Sequence, residues 1–172
     1  MSFDFDAVVV GAGAVGLACA RAQAARGRAV LVLEAESAIG QGVSSRNSEV
    51  IHAGLYYPTG SLKAELCVAG RRALYPYLEA RGIAFDRCGK LVVATEDAET
   101  PAVERIAAQA EANDVEGCRW LTGAEARAME PELRAVAALH SAESGIFDSH
   151  GYMLALQGEV EDTGGAVALS TP

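Results

Sequence analysis

Residues 5–34 read FDAVVVGAGAVGLACARAQAARGRAVLVLE, and this stretch decides the fold. Phe5–Val10 is a β-branched run halted by Gly11, the pattern of a strand buried on both faces. Ala14–Arg26 is rich in Ala and Leu, holds no proline and is followed by Gly27, so it reads as a helix with a glycine stop. Ala29–Leu33 is a second apolar strand that ends at Glu34. Strand, helix and strand in this short compass make a parallel βαβ crossover.

The turn between the first strand and the helix is Gly11-Ala12-Gly13-Ala14-Val15-Gly16. A G-x-G-x-x-G pattern alone is weak. Placed after a strand, opening a helix and followed by an acid at the end of the next strand, it describes a dinucleotide site. Gly11 makes the tight turn, Gly13 admits a pyrophosphate to the backbone and Gly16 lets helix and strand pack closely. The free N–H groups of the helix mouth, Ala14 and Val15 among them, attract phosphate. Glu34, beside Ala35, accepts hydrogen bonds from ribose hydroxyls. FAD and NAD share this fingerprint, and the carboxylate argues only against the 2′-phosphate of NADP.

The choice between them rests on residues 36–58, a long polar and glycine-bearing connection. Ordering such a segment costs entropy, so it implies a function. Gly42, Ser44, Ser45, Asn47 and Ser48 offer hydroxyl and amide groups suited to a pyrophosphate and the polar edge of an isoalloxazine, which favours FAD. Arg46 is a candidate contact to phosphate or substrate.

Further along, Ser61–Glu79 reads as a helix capped by Ser61, weakened at Gly70 and kinked or restarted at Pro76. Phe85–Ala94 suggests two short strands around Cys88-Gly89. Thr100-Pro101 opens a helix to Asn113 with threonine as cap, and Thr122–Glu125 is a capping box. Val136–Leu139 and Gly145–Phe147 read as strands, Asp148 or Ser149 caps a helix to Thr163, and Ala166–Leu169 starts another strand. The resulting fold class is α/β: a Rossmann-like βαβ domain with an inserted α+β portion.

Composition narrows the functional classes. The 172 residues carry a formal charge of −9, which disfavours nucleic-acid backbones and anionic membrane surfaces as partners. Cys19, Cys67, Cys88 and Cys118 form no C-x-x-C pair, and His52, His140 and His150 lack ligand spacing, so neither a disulfide framework nor a metal site is expected. Reduced thiols fit the cytoplasm. Acidic residues precede the first apolar run, and Arg21, Arg26 and Arg28 interrupt the hydrophobic stretch beyond it, so neither a signal peptide nor a transmembrane helix is expected.

Four stretches carry a family resemblance: VVVGAGAVGLACARAQAARG, SSRNSEVIHAGLYYPTGSLKAELCVAG, CGKLVVAT and SGIFDSHGYMLAL. With them the chain resembles the D-amino-acid-oxidase-like superfamily of FAD enzymes, and within it the L-2-hydroxyglutarate oxidases and dehydrogenases. The resemblance implies oxidation of a small 2-hydroxy acid to a 2-oxo acid by hydride transfer to flavin. It places Gly11, Gly13, Gly16 and Glu34 on the ADP half of FAD, Ser44–Ser48 along the pyrophosphate and flavin, and His52 near the substrate side. It also implies residues 1–80 as the first part of the FAD domain, 81–145 as part of the substrate domain and 146–172 as a truncated return, the chain being either an N-terminal piece of a longer enzyme or a truncated product that cannot complete its site.

Imidazole chemistry gives His52 two possible tasks, taking the hydroxyl proton as a base or orienting the carboxylate as a cation. Tyr56, Tyr57 and Lys63 are candidate substrate contacts. The alternatives are a related amine oxidase or glycerol-3-phosphate-type dehydrogenase, a nicotinamide enzyme, or a non-catalytic nucleotide-binding fragment. The residues leave the electron acceptor open among oxygen, a quinone and a soluble carrier.

Overall fold

A computed structural model describes residues 4–172. The chain divides into two compact units, one of residues up to Glu49 with Arg81–Ala84 and Asp148–Pro172, the other of Val50–Ala80 with Phe85–Phe147.

The first unit holds a parallel sheet of β1 (Ala7–Val10), β2 (Val30–Leu33) and β9 (Ala166–Ala168), with β2 in the centre. Helices α1 (Ala14–Ala24) and α5 (Ser149–Asp162) pack against each other in this unit. Leu17, Ala20, Val30, Val32, Met153, Leu156 and Val160 form its buried interior. Register puts Val8 beside Leu31 and Val10 beside Leu33. On that face Val8 is 56% and Val10 84% exposed, so β1 is not buried on both faces as its sequence predicts.

Asp148 caps α5, its carboxylate accepting the Gly151 N–H at 2.9 Å. Arg21 and Arg81 both bind the Glu159 carboxylate, tying α1 and the Arg81–Ala84 segment to α5.

The second unit contains two antiparallel sheets. One orders β3 (Val50–Ile51), β8 (Gly145–Phe147) and β4 (Phe85–Asp86), and the other orders β5 (Lys90–Ala94), β7 (Ala137–Ser141) and β6 (Cys118–Thr122). The two strands expected around Cys88-Gly89 thus exist but belong to different sheets, with Gly89 at φ +75° turning the chain from one to the other. Helix α3 (Thr100–Ala112) covers one face of the second sheet through Val103 against Ala94, Ala137 and Leu139. On the other side, Ala126 of α4 (Gly123–Met129) meets Leu121 and Ala138.

Helix α2 (Leu62–Ala80) continues through Pro76, so the proline does not begin a new helix there. The proline and Arg72, whose carbonyl loses its N–H partner there, are both exposed, so water can satisfy that carbonyl. Ser61 Oγ accepts the Ala64 N–H at 3.2 Å, as expected of the cap. Thr100 does not cap α3; it is the first helical residue, and Glu99 stands at the cap position without a side-chain bond to the helix. The capping box of Thr122 and Glu125 is formed in both directions.

Residues 50–80 cluster with the second unit, although the sequence suggests the first domain for them. Packing explains this. Val68 of α2 is buried with Ala53, Leu55, Ala110 and Val115, and Tyr75 packs its ring 5.5 Å from Phe85. Buried Arg71 of the same helix binds Glu116 and Glu143, a pairing that a buried guanidinium requires.

Candidate functional site

In the first unit the glycine turn is built as its spacing requires. Gly11 adopts φ +97° and donates its N–H to the Leu33 carbonyl at 2.7 Å, joining the end of β1 to the end of β2. A Cβ on Gly16 would fall 1.9 Å from the Gly11 carbonyl oxygen, so only glycine lets α1 pass this close to the turn. At Gly13 a Cβ would lie 2.8 Å from Ser44 Oγ.

Helix α1 has Gly13 at its cap and no side chain capping from that position, and its first regular bond runs from the Leu17 N–H to Gly13. The Val15 and Gly16 N–H groups precede that bond, and the helix dipole adds partial positive charge there. Ser44, 30 residues away, reaches this mouth and accepts the Ala14 N–H at 3.1 Å.

Glu34 turns toward the same place. Its carboxylate accepts the Ala12 N–H at 2.7 Å and the Glu36 N–H at 3.0 Å. The backbone bonds from Glu36 and Ala12 hold the carboxyl below the usual carboxylate range, so it is ionised at neutral pH. Ala35 is exposed beside it.

The segment after Glu34 is ordered by its own polar groups. Ser45 Oγ donates to the Gly42 carbonyl at 3.2 Å, and the Asn47 amide donates to the Ser44 carbonyl at 2.8 Å while accepting the Glu49 N–H at 2.7 Å. Ser45 and Asn47 thus hold the loop that presents Ser44, while Arg46 and Ser48 stand exposed. Gly40 is buried at φ +69°, and a Cβ there would meet the Met153 methyl at 2.5 Å.

A glycine-lined helix mouth, a hydroxyl beside it and an ionised carboxylate at the end of β2 are the donor set that the ADP half of a dinucleotide requires. The residues fit FAD.

The second unit gathers the other candidates. His52, Tyr56 and Tyr57 line one pocket, too tight in this structure to admit a water, together with Lys90 and Ser144. The loop carrying them is pinned from two sides. Asn113 donates to the carbonyls of Gly54 at 3.0 Å and Tyr57 at 2.8 Å, and a Cβ on Gly54 would meet Val68 at 2.9 Å. Lys63 Nζ sits 4.6 Å from the Tyr57 ring centre and Lys90 Nζ 5.7 Å from that of Tyr56. Partial desolvation of the His52 ring, followed by the charges of Lys90 and Lys63, holds this imidazole below its ordinary pKa. Burial raises both tyrosine hydroxyls, keeping them protonated donors.

Lys90 and Asn113 are the residues that sequence reading missed. Lys90 sits in CGKLVVAT, a stretch already marked by resemblance.

The model of the FAD-dependent oxidoreductases known as DAO matches residues 6–172. The chain belongs to this family. The family is that of the FAD-dependent oxidoreductases. Among curated relatives it is 53% identical over 151 residues to the mitochondrial L-2-hydroxyglutarate dehydrogenase of Arabidopsis thaliana, covering 88% of this chain and 31% of that one. It is 38% identical to the human mitochondrial protein of the same name, covering 95% and 36%, and 34% identical to the L-2-hydroxyglutarate dehydrogenase of Escherichia coli strain K12, covering 95% and 39%.

The chain thus spans between 31% and 39% of the length of these relatives. Among solved structures, the FAD-bound L-alpha-glycerophosphate oxidase of Mycoplasma pneumoniae shares the fold at TM-score 0.90 with 23% identity, covering 96% of this chain and 44% of that one. Glycine oxidase of Geobacillus kaustophilus follows at TM-score 0.81 and 26% identity, covering 96% and 46%. Among the described residues no helix is long and apolar enough to cross a membrane.

Proposed function

We propose that this flavoprotein oxidises a small L-2-hydroxy acid of the 2-hydroxyglutarate kind to the 2-oxo acid. The observation that carries the substrate is the 34–53% identity to proteins named L-2-hydroxyglutarate dehydrogenase. The pocket chemistry of the second unit supports it.

The Val15 and Gly16 amides with Ser44 hold the diphosphate, and Glu34 the adenosine ribose. Arg46, Asn47 and Ser48 would supply further polar contacts to the bound cofactor. When bound, FAD supplies the two-electron acceptor. Oxidation removes a hydride from the alcohol carbon and a proton from its oxygen, and His52 takes that proton. A neutral imidazole is the form that can do so, and the lowered His52 pKa favours the base over the cation. Tyr56 and Tyr57 donate hydrogen bonds to the substrate carboxylate. The free thiols at Cys19, Cys67, Cys88 and Cys118 agree with a reducing compartment such as the cytoplasm.

Anaerobic mixing of the full-length protein with L-2-hydroxyglutarate tests this reading. Bleaching of the flavin band with formation of the 2-oxo acid is expected. Bleaching by amino acids or glycerol 3-phosphate and not by hydroxy acids would transfer the chain to the runner-up activity, which the fold likeness to the glycerophosphate and glycine oxidases favours.

A further inference from the structure

The chain contains 14 basic residues, and only two of them, Lys63 and Lys90, are lysines. One lies in the first turn of α2 and the other opens β5, yet the fold brings both to the loop that carries His52. Each ammonium lies over one member of the adjacent pair Tyr57 and Tyr56, and Lys90 lines the same pocket as His52.

Their surroundings differ from those of the six ion-paired arginines. Arg21, Arg71, Arg72, Arg81, Arg87 and Arg119 are all paired with carboxylates. Among the described residues no carboxylate pairs with Lys63 or Lys90. In a chain of net charge −9, two unpaired ammonium groups around one histidine make a local cationic site. A tyrosine face holds a cation without neutralising it, leaving the N–H donors turned away from the ring for an anion.

We propose that Lys63 and Lys90 form a clamp selecting substrates with a second carboxylate, and that Lys90 is a specificity residue of this enzyme. The proposal rests on the hydroxy-acid reading above. A monocarboxylate would leave one ammonium unanswered, whereas a five-carbon dicarboxylate presents an anion at each end. The same two charges also disfavour protonation of His52, so the clamp keeps the base in working form before substrate arrives.

Calorimetric titration of the full-length, FAD-loaded protein with glutarate and with pentanoate, neither of which carries an oxidisable hydroxyl, tests the clamp. Glutarate should bind more tightly than pentanoate, and that preference should fall roughly tenfold or more in Lys90→Gln and again in Lys63→Gln, as loss of a charge-assisted bond implies. Lys90→Arg should restore most of it. A preference that survives in both glutamine variants, with FAD content and circular dichroism unaltered, would overturn the proposal. So would a wild-type protein that does not prefer glutarate. Failure of L-2-hydroxyglutarate to bleach the flavin while the glutarate preference persists would instead count against the reaction assigned above.

Discussion

The Glu34 carboxylate accepts the Ala12 N–H at 2.7 Å, so the acid that ends β2 is locked onto the glycine turn that opens α1. Two backbone N–H groups, of Glu36 and Ala12, keep that carboxyl ionised. Its pKa is lower folded than unfolded, so its stabilisation is present above the ordinary carboxylate range and is lost as pH falls through the folded value. Acid titration of unfolding should therefore show less loss of stability between neutral and acid pH in Glu34→Gln than in wild type. Identical acid sensitivity would show that these bonds do not matter to the fold.

The glycines should separate by position. Gly16→Ala forces a Cβ to 1.9 Å from backbone oxygen and should cost about 3 kcal/mol or more. In α2, Gly70 has nothing within 4 Å of the Cβ position, and Gly70→Ala should gain about 0.5–1 kcal/mol. Thermal melts of the two variants check both signs.

His52 sets a pH profile. With its pKa lowered, the imidazole is neutral at pH 7, and flavin reduction should decline only on the acid side, with a midpoint below 6.5. Removing one positive neighbour in Lys90→Gln should move that limb to higher pH. Replacement of His52 by Gln should slow reduction roughly 100-fold or more and abolish the limb. An unshifted limb in His52→Gln would assign the base elsewhere.

Asn113 anchors the tyrosine loop through the carbonyls of Gly54 and Tyr57. Asn113→Ala leaves both unanswered, with an expected loss of about 2 kcal/mol in denaturant unfolding. The Asn113→Asp variant should be nearly as damaging, because an ionised carboxylate cannot donate.

Much of this was legible in the residues themselves. Gly11 and Gly16 act through backbone geometry that their spacing encodes, and the caps at Ser61, Thr122 and Asp148 follow from local side-chain chemistry. The features that escaped depend on long-range pairing. Strand β6 alternates poorly, with Leu121 buried but Trp120 40% exposed, and only its ladder with β7 makes it a strand. The exposure of Val8 and Val10 depends on which sheet face the helices cover, which β-branched composition does not encode. Lys90 joined the histidine pocket only through tertiary structure, since the resemblance marks its stretch but not that residue.

The central claim, that the mouth of α1 holds the diphosphate of FAD, is tested most directly by fluorescence titration of FAD into flavin-stripped full-length protein, wild type and Gly13→Val. A side chain at Gly13 would begin 2.8 Å from Ser44 Oγ, filling the approach to the helix amides. Wild type should bind one FAD per chain, and the variant should bind at least about 100-fold more weakly while keeping its fold. Stoichiometric FAD binding of wild-type strength by a folded Gly13→Val protein would contradict the account.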